Sequence, residues 1–408
     1  MDRCASIANR GAELLRLFRM SGLEGSPMTF ITGGTGSRPL AIELARHNHN
    51  VSYVIHTADS GKSTRQVRLF FGNVPAMGDL RSRLIDLADP GAPGHTQITA
   101  LLSHRLTGVS PSAAGAEFKS IIEGSDETRF IPNVMASNAP KPFSNIFLTH
   151  IRGFDRMVKS MQRPNRIFDF RGASIGNLFL TGAYFAYEQD METAIALYKL
   201  LAGIKEDVLP ATLENVHLAA KMADGLTIAG QHNITKYEGG SVRELWHVRT
   251  EDPNAATIYP SLNPSARKKI LDAHFLVFSM GSFWTSVLSP VHLAGMAEAV
   301  RESGAVKILV TNSINDFETR GMTAADMGST FLDTIRRRDS SPGQDHDYLH
   351  HIIANQPGSE YISPDGFGYL QAGDLGVLGI DNILAPLAVA GTPYYDNELL
   401  LKLICGLI

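Results

Sequence analysis

The sequence predicts an α/β protein with a largely parallel sheet, helices on both faces and a smaller β-rich insertion. Three observations carry this expectation. Short apolar runs, among them Phe30-Ile31, Val51 to Ile55, "RIFDF", "HFLVFSM" and "VKILVTN", alternate with stretches of helical period. Glycine or hydroxyl clusters follow at least three of those runs. Between residues 208 and 262 the pattern changes, and "VHLAAKMADGLTIAGQHNI" reads as a hairpin turning at Asp224-Gly225.

The elements follow in chain order. The first 27 residues set Arg3, Arg10, Arg16 and Arg19 beside Leu14, Leu15, Leu17 and Phe18, which predicts an amphipathic helix docked ahead of the first strand. Asp2 and Glu13 argue against a transit signal. Phe30-Ile31 then leads into Gly33, Gly34, Thr35 and Gly36, and Leu40, Ile42, Leu44 and Ala45 carry a helical spacing. Strand, turn and helix in that order let the backbone approach a ligand and turn free N–H groups toward an anion. Gly34 and Gly36 give G-x-G, but Pro39 stands where the dinucleotide fingerprint has its third glycine. Proline suits a first helical turn, so the turn survives that loss.

Val51 to Ile55 completes a βαβ unit and ends in "HTADSGKST". Gly61-Lys62-Ser63 invites a P-loop reading, but that motif needs glycine at position 56, where His56 stands. Asp59 follows the strand directly, where a carboxylate can hold Mg²⁺ against phosphates or bind a hydroxyl. Asp79 is the second acidic candidate, its ordinary alternative being a helix N-cap. "RGASIGNLFLTG" contains Gly172-x-Ser174-x-Gly176, the outline of a nucleophile elbow, with His217, His274 and His292 available as partners. The competing reading makes Gly176 and Asn177 the start of a helix that receives an anion.

"FSMGSFWTS" repeats the theme with Gly281, Ser282, Thr285 and Ser286, although hydroxyls at helix starts are ordinarily caps. "RRRDSSPGQD" reads as a mobile loop. In "HDYLHH", His346 and His350, and Asp347 and His351, stand four apart, a spacing that can hold a metal on a helix face. No third ligand accompanies them, and a solvated or core-edge face is the favoured reading.

Composition bounds the class. The chain has 408 residues, 44% of them hydrophobic and 19% charged, which is ordinary for a globular protein. Its net charge of −4 announces neither nucleic acid nor an anionic membrane, so a small-molecule partner is expected. Cys4 and Cys405 lie at opposite ends, which excludes a disulfide framework and agrees with a reducing, cytoplasmic setting. The longest apolar stretch, near Ile383 to Ala390, is short of a membrane span and is broken by Pro386. A homodimer is left open.

Seven pieces in order, "ITGGTGSRPLA", "VIHTADSG", "GNVPAMGDLRSRL", "GASIGNLFLTG", "VLPATLENVHLAAKMADGLTIAGQHNI", "HFLVFSMGSFWTSVLSP" and "GYLQAGDLGVLGID", resemble the CofD/YvcK-like family. That family comprises 2-phospho-L-lactate transferases and gluconeogenesis factors. The resemblance implies a Rossmann-like nucleotide-binding core in two parts, 28–207 and 263–408, with the insertion at 208–262 and a helical extension at 1–27. It implies a nucleoside diphosphate or nucleotide-sugar ligand held by Gly33, Gly34, Thr35, Gly36, Gly176, Asn177, Gly281, Ser282 and Thr285. Asp59 and Asp79 are the expected catalytic carboxylates, with Mg²⁺ on Asp59. The expected activity is transfer of a phosphate-linked group to an acceptor hydroxyl. The alternative is a nucleotide-sugar-binding regulator without turnover, with a Ser174 hydrolase less favoured. Many relatives read Asp-Asp-Gly-Gly-Ser where this chain reads Asp59-Ser60-Gly61-Lys62-Ser63.

Overall fold

The computed structural model describes residues 25–89, 91, 94–123 and 139–407. The helix expected ahead of the first strand lies in residues 1–24, outside that range. The strands are β1 (Met28–Thr32), β2 (Val51–Ile55), β3 (Asp207–Pro210), β4 (His217–Met222), β5 (Thr227–Ala229), β6 (Val242–Val248), β7 (Thr257–Ile258), β8 (Phe275–Phe278), β9 (Val306–Val310), β10 (His351–Asn355) and β11 (Asp381–Ala385).

Seven of them form one sheet in the order β11-β10-β9-β8-β1-β2-β3, and every neighbouring pair is parallel. The chain grows outward from β1 to β2 and β3, then returns to lay β8 on the other edge of β1. Strand order therefore reverses between β1 and β8, and that reversal opens a crevice beyond their carboxyl ends. Phe30, Tyr53 and Val277 enter one core, while Ile31, Val54 and Phe278 enter the other. Burial of both faces explains why these strands read as unbroken apolar runs.

One face is covered by the helices Arg38–Ala45 and Asn397–Cys405 together with the helices that run between β2 and β3. The other is covered by the helices Pro264–Leu271, Met296–Glu302 and Ala324–Arg338 and by an antiparallel sheet ordered β5-β4-β6-β7. The hairpin forms at Asp224-Gly225: Gly225 takes a φ of +89°, and the Asp224 side chain accepts from the Leu226 N–H at 3.0 Å. This is the expected Rossmann-like architecture with its β-rich insertion. No described helix is long and apolar enough to cross a membrane.

Three local expectations are corrected and one less favoured alternative is closed. "RIFDF" is not a strand; Phe168 and Phe170 join a cluster of rings with Phe70, Phe118 and Phe154. Burial of those rings among helices overrides their strand-like alternation. Asp207–Pro210 belongs to the parallel sheet, beside β2, and not to the insertion. The arginines of "RRRDSSPGQD" close the helix Ala324–Arg338, and Asp339 beyond them is buried, accepting from Arg301 Nε and the Tyr348 hydroxyl, each at 2.7 Å. "HDYLHH" makes no helical metal face, because the helix ends at Tyr348 and His351 starts β10.

Candidate active site

The loop after β1 is held from beneath by a fully buried arginine. Arg83 donates to the Gly33 carbonyl at 3.2 Å and to the Ser37 hydroxyl at 2.6 Å. Its guanidinium lies 4.8 Å from the Tyr53 ring centroid and 3.8 Å from Asp86. Thr32 and Ser37 share a hydrogen bond of 2.6 Å, which closes the loop on itself. A side chain has no room on its outer surface: a Cβ at Gly33 would lie 2.6 Å from Ser286 Oγ, and one at Gly36 would lie 2.6 Å from Gly281 Cα. The loops after β1 and β8 thus touch backbone to backbone at the strand reversal. Beside them Gly36, Pro39, Gly281, Asn312, Asp316 and Tyr395 line a cavity of about 240 Å³, the size of one base or sugar.

The carboxylates gather at the inner end of the same loop. Asp79 is the second residue of the helix Gly78–Asp86 and does not cap it. Its backbone packs on Gly34, where a Cβ would lie 2.9 Å from Asp79 Cα. Its carboxylate meets Nε2 of the fully buried His56 in an ion pair of 2.5 Å. Asp59 accepts from the Gly61 N–H at 2.9 Å, and its other oxygen crowds Gly78, the neighbour of Asp79. Buried Arg68 fixes the Asp59 backbone by donating to its carbonyl at 2.9 Å.

Burial opposes charge on His56, but Asp79 and then Asp59 outweigh it and hold the imidazole above its ordinary value. Burial and the Asp79 charge likewise raise Asp59, against hydrogen bonds from Thr64 and Gly61. Both groups therefore bind protons more tightly folded than unfolded, so their contributions to stability decline as pH rises. For His56 the contribution is complete below 6.5 and is lost as pH passes its raised folded value. We expect the metal-free protein to lose urea resistance as pH rises above about 6.5, and His56→Gln to flatten that slope. An equal slope in the variant would assign it elsewhere.

A carboxylate raised by a neighbouring carboxylate is a donor set that a divalent cation relieves. Mg²⁺ ordinarily takes one or two protein carboxylates plus phosphate oxygens, and Asp59 fits that pattern as the protein ligand, Asp79 being paired with His56. Among the described residues no group of three or more His, Cys, Asp or Glu side chains is arranged for a metal, so substrate oxygens would complete the set.

Other expected ligands lie elsewhere or are already engaged. Gly176 is a packing glycine: a Cβ there would lie 2.7 Å from the Leu102 carbonyl and 2.9 Å from Arg81 Cγ. Asn177 is buried and donates to Ser63 at 3.3 Å. The helix start expected to face phosphate is covered by protein. Ser174 is fully buried and its hydroxyl has no hydrogen-bond partner, histidine included, so no elbow forms. Gly281 does line the cavity, its N–H donating to Asn312 Oδ1 at 3.0 Å. Ser282 precedes a short π-helix, Phe283–Leu288. The Trp284 and Thr285 N–H groups donate to the Glu318 carboxylate at 3.1 Å, and the Thr285 hydroxyl does so at 2.7 Å. Glu318 occupies the anion position expected for phosphate, and burial followed by Asp316 pushes its carboxyl up to about 8.

The departure at residues 60 and 62 also has a geometry. Ser60 turns its hydroxyl to His232 Nδ1 at 2.8 Å. Lys62 adopts a φ of +42°, a left-handed conformation that glycine takes up far more readily than lysine. Lys62→Gly should therefore raise stability by about 0.5–1 kcal/mol in urea unfolding, the relief of left-handed strain less glycine's entropy cost. A destabilised variant would show that the lysine side chain makes a compensating contact.

Fold and site together define a Rossmann-like α/β protein with a glycine-lined, acidic site at the strand reversal. The chain belongs to the family described as 2-phospho-L-lactate transferase CofD, whose profile it matches over residues 28–364. It is 28% identical over 310 residues to an Aquifex aeolicus protein provisionally named a gluconeogenesis factor, covering 74% of this chain and 72% of that one. A Nostoc protein of the same provisional name is 27% identical over 312 residues, 76% of this chain. The match spans about half, 51%, of the Nostoc protein's length. The crystal structure of protein BH3568 from Bacillus halodurans, a UPF0052 family member, superposes with a TM-score of 0.63 at 19% identity, covering 93% of this chain and 99% of that one. At that identity the likeness concerns fold.

Proposed function

We propose that this chain transfers a phosphate-linked group from a nucleoside diphosphate-type donor to an acceptor hydroxyl. The observation that carries the reading is Asp79: it is paired with a buried, proton-retaining His56 and seated against Gly34, on the loop that leads to the cavity. The base or sugar occupies the cavity, and the diphosphate lies along Gly36, Thr35 and Gly34 before the start of the helix Arg38–Ala45. Asp79 accepts the acceptor's hydroxyl proton as the oxygen bonds to the distal phosphorus. The bridging P–O bond breaks, and a nucleoside monophosphate leaves with the bridging oxygen. His56 keeps Asp79 oriented throughout. Asp59 would hold Mg²⁺, which would supply positive charge against the phosphates.

One observation favours a second reading, a nucleotide-sugar-binding regulator. Ser60 replaces a carboxylate common among relatives and is committed to His232, which leaves fewer acidic groups for transfer chemistry. Mass spectrometry of small molecules that co-purify, followed by incubation of the protein with them, cell extract and Mg²⁺, separates the two. Release of a nucleoside monophosphate with a new phosphate-linked product supports the transferase. A ligand recovered unchanged supports the regulator. Failure of calorimetry to detect nucleoside diphosphates, UDP-sugars or any co-purified species overturns both.

A further inference from the structure

The transfer chemistry proposed above fixes the side from which the acceptor comes. An in-line displacement brings the attacking hydroxyl to the face of the phosphorus opposite the leaving oxygen. The donor reaches Gly34 from the first cavity, lined by Gly36 and Gly281, so the acceptor approaches from beyond Asp79, which packs on Gly34. A second cavity, about 600 Å³ between β6 and the helix Ala324–Arg338, is lined by neither Asp59 nor Asp79.

Beyond Asp79 stand two arginines without anionic partners. Arg81 follows on the helix Gly78–Asp86, and its Cγ lies 2.9 Å from the place a Cβ at Gly176 would take. Arg105 bridges by its backbone to Ser174 and donates from Nη1 to the Gly172 carbonyl at 3.1 Å. The Ser174 N–H donates at 3.0 Å to Ser63 Oγ, in the helix Lys62–Phe71 that follows Asp59. Both arginines thus flank residues 172–176, which are tied to the Asp59 loop.

Arg81 is half-buried and Arg105 more exposed, and neither forms an ion pair among the described residues. Other carboxylates of these elements are already engaged. Asp79 pairs with His56, Asp86 with Arg38 at 2.9 Å, and Glu117 with His104 at 2.7 Å. Partial burial, then the Arg81 charge, holds Arg105 below its ordinary value, while Asp59 opposes that shift. The two guanidinium groups therefore repel each other across a space that Asp59 also faces. An anion seated between them removes the repulsion, and arginine forks match the oxygens of a carboxylate or phosphate.

We propose that the acceptor is itself an anion, a hydroxy compound whose carboxylate or phosphate group is held by Arg81 and Arg105 while its hydroxyl meets Asp79. The hydroxyl proton passes to Asp79, the oxygen bonds to the distal phosphorus, and the nucleoside monophosphate leaves with the bridging oxygen. The inference rests on the transfer reading for the acceptor's role, whereas anion binding by the two arginines requires no turnover.

Calorimetry with inorganic phosphate, and separately with malonate, tests it at constant ionic strength in metal-free buffer, with and without excess UDP or GDP. Leaving out metal keeps the anion from binding through Mg²⁺, and the nucleotide keeps it off the glycine loop. At least one anion should bind with an apparent Kd near or below about 5 mM in both conditions. The two arms tell phosphate chemistry from carboxylate chemistry. Arg105→Ala should weaken that binding at least tenfold and leave nucleotide affinity unchanged, and Arg105→Lys should restore part of it. Arg249→Ala removes an arginine already paired with Glu214 and should have no effect. No saturable response to either anion up to about 50 mM, or equal losses from Arg105→Ala and Arg249→Ala, overturns the proposal. Absence of any nucleoside diphosphate binding, with the Arg105-dependent response intact, overturns the transfer reading and the acceptor's role but keeps the anion site.

Discussion

Asp79→Asn is expected to lower turnover at least about 10²-fold while changing nucleotide affinity less than tenfold, under about 1.4 kcal/mol. An amide cannot accept the acceptor's proton, and it withdraws the charge that keeps His56 protonated. In the proposed reading the nucleotide is held by loop backbone and the cavity, so its affinity should change little. Single-turnover release of nucleoside monophosphate, set beside calorimetry, separates the two quantities. Equal losses in both would make Asp79 a binding group, and unchanged turnover would remove it from the chemistry.

The second large effect belongs to Gly34→Ala. The new methyl would lie 2.9 Å from the Asp79 backbone and would press on its carboxylate, so the helix Gly78–Asp86 must shift. Overpacking of this kind costs about 1–3 kcal/mol, read by urea unfolding. A displacement near 1 Å at a reacting group costs about 10²-fold in rate, so turnover should fall by at least that factor in folded protein. Gly33→Ala provides the contrast. There the methyl would lie 2.9 Å from Ser286 Cβ, which rotation cannot move, so stability should fall comparably, but the displaced segment is that of Ser286 and not that of Asp79, and turnover of the folded protein should fall less. Equal effects of the two changes on turnover would show that general crowding of the loop is responsible, and not the position of Asp79.

The fold was legible where structure is local. Apolar runs located β1, β2, β8 and β9 and the loops beyond them, because strands buried on both faces leave a continuous signal. Gly33, Gly34, Gly36, Asp59 and Gly281 follow such runs, Asp79 stands out instead at a helix start, and the loops that carry these six residues lie side by side. What stayed hidden depends on partners distant in sequence. Position 56 was considered only for the glycine it lacks, although His56 pairs with Asp79. Arg83 gave no sign of being the buried support of a loop fifty residues earlier. Thr285 looked like an anion donor because Glu318, which takes its N–H and hydroxyl, lies 33 positions later. Gly176 bears the same residue type as a phosphate cradle, but only its contacts with Leu102 and Arg81 reveal packing. Glycine signals close approach without saying to what.

The pairing of β1 with β8 also fixes when the site can exist. During synthesis β1 and β2 emerge first, whereas β8 begins only at Phe275. At roughly 5–20 residues per second, one edge of β1 waits on the order of ten seconds or more for its neighbour. Gly36 meanwhile has no Gly281 to rest on, and the first cavity lacks the wall formed by residues 280–316. A nascent chain thus carries its glycine loop and both carboxylates well before it has a closed place to put a ligand. The waiting strand edge is apolar and unpaired, the kind of surface that chaperones shield and that aggregation exploits. The late-made half of the chain completes the sheet and the site in one event.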